Sequence, residues 1–249
     1  MKSAVPVVAV LLLIPAVGAE DTRCFEMRTY YANPGKLDAL HARFRNHTLG
    51  LFEKHGMTNV GYWVPVDNPD NKLIYILAYP SREQRDASWK AFQADEDWKA
   101  AYAESIRDGK LIAKVESVFL TATDYSPEIK AAASESPRLF ELRIYTTNDG
   151  KLSDLNARFR NHTTKLFEKH GLPQFGYWTP MDEKDGRDNR LIYLLAVRDQ
   201  ETRDAGFKSF GQDPDWKAAR TASEENGKLL INGGVQSVFL KPTDYSPTR

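Results

Sequence analysis

The chain has 249 residues, with 34 Lys and Arg against 34 Asp and Glu, so its formal net charge is zero. This balance argues against a general binder of nucleic acids or of anionic membranes, because such proteins usually carry a basic excess. Hydrophobic residues make up 41% and charged residues 27%, which argues against wholesale disorder. The single cysteine, Cys24, excludes an intrachain disulfide and any site built from several cysteines.

Residues 1–19 have the pattern of a secretory signal peptide. Lys2 supplies one positive charge, an apolar run extends from Ala4 to Ala19, and Val17-Gly18-Ala19 offers small residues to a signal peptidase. We therefore expect cleavage after Ala19 and export to the periplasm or the medium. The alternative is an uncleaved anchor, although two prolines interrupt the run and leave it short for a span of about 20 residues.

The rest of the chain is a tandem repeat. Phe25–Pro65 and Phe140–Pro180 share 26 identities in 41 aligned pairs, and both copies close on Thr-Asp-Tyr-Ser-Pro. Two copies of so long a unit indicate a duplicated domain rather than a solenoid. We predict domains at 23–127 and 139–247, joined by a linker at 128–138.

Each copy has the pattern β-α-β-β-α-β, which is the order of the ferredoxin-like split βαβ unit. Alternation of apolar and polar residues indicates strands, and apolar residues on one face indicate helices. The predicted elements of the first copy are the strand Phe25–Tyr31, a helix ending near Gly56, the strands Asn59–Pro65 and Lys72–Tyr79, a helix over Ser81–Gln93, a helical segment with Asp95 as its N-cap, and the strand Val115–Leu120.

The first strand has two different faces. Phe25, Met27 and Thr29 form an apolar face that we expect to meet the helices. Alternate residues point the opposite way, toward the sheet face that the helices leave bare. Two such faces opposed within one chain would enclose a cavity lined by polar and aromatic side chains.

The motifs resemble those of the NIPSNAP family, which belongs to the dimeric α/β-barrel superfamily. They are Glu26-x-Arg28-x-Tyr30, Pro34-Gly-Lys-Leu37, Phe52-Glu-Lys-His-Gly56, Gly61-Tyr-Trp63 and the closing Thr-Asp-Tyr-Ser-Pro, and both copies match except that Asp149 stands in the place of Pro34. The resemblance implies an α+β fold in which two ferredoxin-like βαββαβ units form an intrachain dimeric α/β barrel. It does not imply one settled activity, because related barrels include monooxygenases, isomerases and haem enzymes.

Eight residues are the candidate lining of the cavity between the sheets. A functional interpretation makes them an anion or carbonyl pocket, with arginine as the charge, tyrosine as the hydroxyl and tryptophan as the wall. The alternative is a structural ion-pair network across the barrel with ordinary aromatic packing. The set consists of Glu26, Arg28, Tyr30 and Trp63, with Glu141, Arg143, Tyr145 and Trp178 in the second copy.

His47 and His162 occur at equivalent positions on the flank of the first helix's apolar stripe. A partly buried, hydrogen-bonded histidine is one interpretation. The other is a haem ligand or an acid/base group, because neutral imidazole suits both roles. A non-haem metal site is not expected, since no second ligand stands at suitable spacing and Glu53 falls on another face of the helix.

Two classes of function remain open. The first is an exported NIPSNAP-type module that binds a small ligand or a partner without catalysis. The second is a small-molecule enzyme of the barrel superfamily, monooxygenase- or isomerase-like and either cofactor-free or haem-dependent. Neither class implies a nucleic-acid partner, nor a membrane once the leader is removed, and the exposed strand edges could support a homo-oligomer.

Overall fold

The computed structural model describes residues 21–134, 136 and 138–249, so the predicted leader lies outside the described residues. The elements of the first half are β1 (Cys24–Ala32), α1 (Leu37–Arg43), a π-helical segment (Phe44–Thr48), α2 (Leu49–Lys54), β2 (Thr58–Pro65), β3 (Lys72–Tyr79), α3 (Arg82–Ala94), α4 (Glu96–Ser105) and β4 (Ile112–Ala122). Those of the second half are β5 (Leu139–Thr147), α5 (Leu152–Arg158), a π-helical segment (Phe159–Thr163), α6 (Thr164–Lys169), β6 (Gln174–Pro180), a 3₁₀ turn (Glu183–Asp185), β7 (Arg190–Val197), α7 (Gln200–Gln212), α8 (Pro214–Ser223) and β8 (Leu230–Pro242).

The eight strands close one barrel in the order β1-β3-β2-β8-β5-β7-β6-β4. Each half contributes four neighbouring antiparallel strands, in the order β4-β1-β3-β2 or its equivalent. The halves join through two short ladders, β4 with β6 and β2 with β8. The predicted fold, two ferredoxin-like βαββαβ units forming a barrel within one chain, is confirmed.

The barrel interior is a shared apolar core. Phe25, Met27 and Trp63 meet their second-half counterparts there, together with aliphatic residues of the other strands. Ile129 of the linker is fully buried in the same cluster. Since each large apolar side chain contributes about 1.5–3 kcal/mol when fully buried, this core ties the two halves into one unit.

The helices lie outside the barrel and cover its outer face with a second apolar layer in each half. The predicted N-cap Asp95 is confirmed, because its carboxylate accepts from the backbone amides of Asp97 and Trp98. His55, the residue that directly follows α2, places Nε2 2.6 Å from the other oxygen of that carboxylate. Helix ends are thus tied to one another by side chains. Within the described residues, no helix has the length and apolar character needed to cross a membrane.

Each closing Thr-Asp-Tyr-Ser-Pro segment docks on the opposite half. The Tyr62 amide donates to Ser246 Oγ at 2.9 Å, and the Tyr177 amide donates to Ser126 Oγ at 3.0 Å. Tyr245 stacks against Phe44 of the first half, 6.3 Å between ring centroids. The motif occurs in both copies because each half uses it to bind the other half.

Candidate binding site

The polar face of β1 points to the helices, not into the barrel. Arg85 on α3 donates two hydrogen bonds to the Glu26 carboxylate, at 2.9 and 2.7 Å. Phe25 and Met27 occupy the interior instead. The predicted orientation of this strand is therefore wrong in both copies. The physical reason is that a closed barrel of this size fills its centre with apolar side chains, while charged groups find partners on the helices.

Glu26 is the centre of a buried ion-pair network. It is fully buried and accepts from Arg28 at 2.5 Å and Ser117 at 2.6 Å in addition to Arg85. Burial alone would raise the pKa of Glu26, but the hydrogen bond from Arg85, the charge of Arg28 and the Ser117 hydroxyl lower it to about 2. The network belongs to one half and does not bridge the barrel, which differs from the predicted structural alternative.

The second half repeats this network. Glu141 accepts from Arg143, Arg203 and Ser237, each at 2.5 Å. Arg143 also donates through Nη2 to Tyr145 at 3.1 Å. Opposing effects act on Glu141 as on Glu26: burial would raise its pKa, and its hydrogen bonds lower it. Because this ion-pair network occurs in both halves, it is best explained as part of the fold.

Trp63 and Trp178 lie inside the barrel, on the opposite side of the sheet from the other candidates. Both are fully buried. A Cβ atom on Gly61 would approach the Trp63 ring to 2.3 Å, and one on Gly176 would approach Trp178 to 2.5 Å. The Gly-Tyr-Trp motif thus lets each indole fold back over its own strand. The structure does not bring these two residues together with the glutamate and arginine cluster.

A cavity of about 260 Å³ lies in the first half between β1 and the helices. Arg28 and Tyr30 line it, so two of the predicted residues border a cavity, although a different one from that expected. Its other lining residues are Arg43, Phe44, Thr48, Phe52, Trp89, Phe92, Gln93, Trp98, Tyr102 and Ile112. This lining contains aromatic walls and two guanidinium groups and no carboxylate.

The two arginines of the cavity have different surroundings. Arg28 is paired with Glu26 and lies 4.5 Å from the Trp89 ring centre. Arg43 is only 4% exposed and donates through Nη1 to Ser105 Oγ at 3.1 Å. Burial lowers the pKa of Arg43 below its usual value. Both Nε atoms are buried without a hydrogen-bond partner among the described residues.

The equivalent arginines of the second half are more fully paired. Arg143 Nε donates to Tyr193 at 2.8 Å, whereas Tyr75, the counterpart in the first half, has a buried hydroxyl without a partner among the residues described. Arg158 Nη1 lies 3.4 Å from Glu224, although its Nε is unpartnered like that of Arg43 within the same described ranges. The first half therefore has more unused hydrogen-bonding capacity beside its cavity.

His47 and His162 are exposed on the π-helical segments, so the predicted partial burial is wrong. A π turn adds one residue to the helix and rotates the residues beside it, which turns these imidazoles outward. His162 borders an open cleft of about 310 Å³ in the second half, beside Asp154 and Arg158. A role of either histidine as a haem ligand or as an acid/base group stays a prediction.

Sequence reasoning missed Arg43, Trp89 and Tyr102. They stand on predicted helices, where arginine and aromatic residues are ordinary. A usable signal was the difference between the copies, because Trp89 is matched by Phe207 and Tyr102 by Arg220. Positions where a duplicated chain departs from its own repeat are where one half can acquire a separate role.

Comparisons with known proteins agree with this architecture. A Dictyostelium discoideum protein described as a NipSnap homologue is 24% identical over 158 residues, 63% of this chain. The match spans 62% of that curated relative's length. A Lactobacillus acidophilus NCFM protein provisionally assigned as a monooxygenase has a TM-score of 0.58 at 11% identity, covering 89% of this chain and 94% of its own.

An anthrone oxidase-like protein gives a TM-score of 0.57 at 11% identity, covering 90% of this chain and 93% of its own. These identities show a common fold and nothing about chemistry. The model of the NIPSNAP family matches residues 25–127 and again 140–247, which together are most of the chain. The chain therefore belongs to the NIPSNAP family and carries its domain twice.

Proposed function

We propose that the protein binds a small molecule in the cavity of its first half, and that the second half is chiefly a structural copy that completes the barrel. The observation that carries this proposal is the lining of the cavity: aromatic rings on several sides, two guanidinium groups and no carboxylate. At about 260 Å³ the cavity lies just below the range of roughly 300–1,000 Å³ typical of drug-sized ligands.

Binding is favoured over turnover by the protonation of the groups around the cavity. Burial alone would lower the pKa of Arg28, but the neighbouring tyrosines and Glu26 raise it above its usual value. Burial raises the pKa of Tyr75 well above its usual value. Such groups keep their protons near neutral pH, whereas a general acid or base works best with a pKa near the working pH. The fold neighbours described as a monooxygenase and as anthrone oxidase-like motivate the enzyme alternative without supplying a residue for it.

The experiment is a titration with aromatic probes. Isothermal titration calorimetry with phenylacetate, phenylacetamide and indole should show saturable binding of at least one probe with one site per chain. Tyr102 is 43% exposed at the cavity, so Tyr102→Ala removes part of its wall with little cost to folding. We expect at least a fivefold loss of affinity in this variant.

Arg220→Ala is the matched control, because Arg220 is the exposed counterpart of Tyr102 in the second half. It should leave binding unchanged. Two sites per chain would contradict the assignment to the first half. If none of the probes binds in a way that the Tyr102→Ala substitution weakens, the binding proposal is contradicted.

We also propose that the chain is exported through the leader at 1–19. The charged start, apolar run and small residues before Glu20 support this. Expression of the full chain in a secreting bacterial host, followed by mass measurement of the periplasmic protein, should give a mature chain that begins at Glu20. A full-length protein retained in the cytosol would contradict export.

A further inference from the structure

We propose that the ligand of the first-half cavity carries a single carboxylate, which pairs with Arg43 as Glu224 pairs with Arg158 in the second half. This inference rests on the proposed function and names the chemical class of its ligand. The rest of the ligand is an apolar, flat body of one or two rings. The two copies of the repeat differ at one position that points to this carboxylate.

The two arginines share their main contacts and differ in two neighbours, an aromatic ring beside Arg43 and a carboxylate beside Arg158. Each ends the first helix of its half, Arg43 on α1 and Arg158 on α5. Each donates through Nη1 to an equivalent serine, Ser105 at 3.1 Å and Ser223 at 3.3 Å. Within the described residues, only Arg158 also has a carboxylate, that of Glu224.

Glu224 occupies the residue that directly follows α8, and the equivalent residue after α4 is Ile106. The first half therefore has an isoleucine where the second half has the anion. Ile106 packs against the apolar cluster beneath the helices and offers no charge. The first half thus lacks the built-in partner that its own repeat supplies to the same guanidinium.

The missing partner is costly because Arg43 is buried. A buried charge is stable only when it is paired or well hydrogen-bonded. The rings of Trp98 and Tyr102, 5.3 and 5.4 Å from its guanidinium carbon, compensate in part through cation–π attraction. A ligand carboxylate would complete the pairing, and a guanidinium binds carboxylates in a geometry that fixes their orientation.

Charge counting favours a monoanion. Arg28 and Arg85 are balanced by Glu26 and Asp86, with which they form ion pairs. This leaves Arg43 as the unmatched charge among the residues that line the cavity. A phosphate or dicarboxylate would bring a second negative charge with no unmatched cation to receive it.

The aromatic side chains that line the cavity indicate what the uncharged part of the ligand is. Phe44, Phe52 and Phe92 line the cavity together with the two tryptophans, Trp89 and Trp98. Flat apolar groups gain the most from such surroundings, because aromatic rings pack edge to face or offset against one another. A benzoate, phenylacetate or indoleacetate would place its ring among these walls and its carboxylate toward Arg43.

The test compares each acid with its own amide, which has nearly the same shape and no charge. Calorimetry with benzoate, phenylacetate and indole-3-acetate, each beside its amide, should show at least one acid bound ten times more tightly than its amide. Ile106→Glu installs the carboxylate of the second half and should abolish this preference. Ile106→Gln is the matched neutral control and should retain it.

The outcomes separate this inference from the function on which it rests. Equal affinities for each acid and its amide would overturn the inference that the ligand carries a carboxylate, and would leave the binding proposal intact. Failure of every acid and amide to bind would overturn the carboxylate, and failure of indole as well would overturn both. An Ile106→Glu variant that is folded by circular dichroism and keeps the full preference would overturn the pairing with Arg43. Glu224→Gln, in the second half, should not change acid binding.

Discussion

Single residues decide how the barrel is filled. Gly61 and Gly176 lie two positions before a tryptophan whose indole folds back over the glycine's α-carbon. Without a Cβ at these positions, the two largest side chains of the core can lie flat inside the barrel. This explains why both copies contain Gly-Tyr-Trp.

Gly61→Ala should therefore destabilise the protein. The new methyl group would approach the Trp63 ring to 2.3 Å, so the fully buried ring or its strand would have to shift. Overpacking of this kind costs about 1–3 kcal/mol. Urea unfolding followed by circular dichroism measures the loss. Gly50→Ala, on α2 with nothing within 4 Å of the new atom, should be neutral or stabilising, and equal losses in both variants would contradict the explanation.

Glu26 should make the protein sensitive to acid. Its pKa is about 2 when folded against an ordinary value of 4.5, so its contribution is complete above pH 4.5 and is lost as the pH falls toward 2. The shift corresponds to roughly 3 kcal/mol of unfolding free energy. Glu26→Gln should be less stable at pH 6 and should lose less stability between pH 4.5 and 2. An acid slope as steep as that of the parent protein would exclude this role.

At the scale of elements, the order of the strands and helices, and most of the predicted bounds to within one residue, could be predicted from the sequence. Strand β3 occupies the predicted residues, and β4 extends beyond the predicted Val115–Leu120 at both ends. The face of β1 could not be predicted. Both of its faces are buried in this fold, one in the barrel and one under helices, so alternation separates the faces but does not say which lies inside.

The π-helical segments were also beyond prediction, because a single extra residue in a turn leaves the apolar spacing almost unchanged. Each segment is stabilised by a threonine whose hydroxyl donates to the carbonyl five residues earlier, Thr48 to Arg43 at 3.2 Å and Thr163 to Arg158 at 3.3 Å. These bonds satisfy carbonyl groups of the two arginines that end α1 and α5.

Thr48→Val should weaken the first π-helical segment. The isosteric change removes the hydroxyl and leaves the Arg43 carbonyl without that donor in a buried place. Loss of such a bond costs about 1–3 kcal/mol. Thr58→Val on the exposed start of β2 is the matched control, and surface changes of this kind stay within about 0.5 kcal/mol. Urea midpoints that fall by the same amount in both would show that the hydroxyl is not needed.

At the scale of the whole molecule, the two repeats that the sequence shows as two domains pack into one structural unit. The barrel core contains residues of both halves and of the linker, and each closing segment docks on the opposite half. A half on its own would expose the apolar interior face to water. The duplication is visible in the sequence, but this mutual dependence is not, because it arises from contacts between residues as far as 204 positions apart.

The chain should therefore unfold in a single transition. Tryptophan fluorescence and far-ultraviolet circular dichroism should give coincident urea curves, as expected for a cooperative unit. Trp63→Phe and Trp178→Phe, measured separately, should each leave the two curves coincident at a lowered midpoint. Two separated transitions would contradict the shared core.

The most direct test of the site in the first half is a crystal structure of the chain soaked with indole-3-acetate. We predict density for one ligand per chain between β1 and the helices, with its carboxylate within hydrogen-bond distance of the Arg43 guanidinium and its ring against Trp98. Ligand density in the barrel interior or beside Arg158, with the first-half cavity empty, would contradict the assignment.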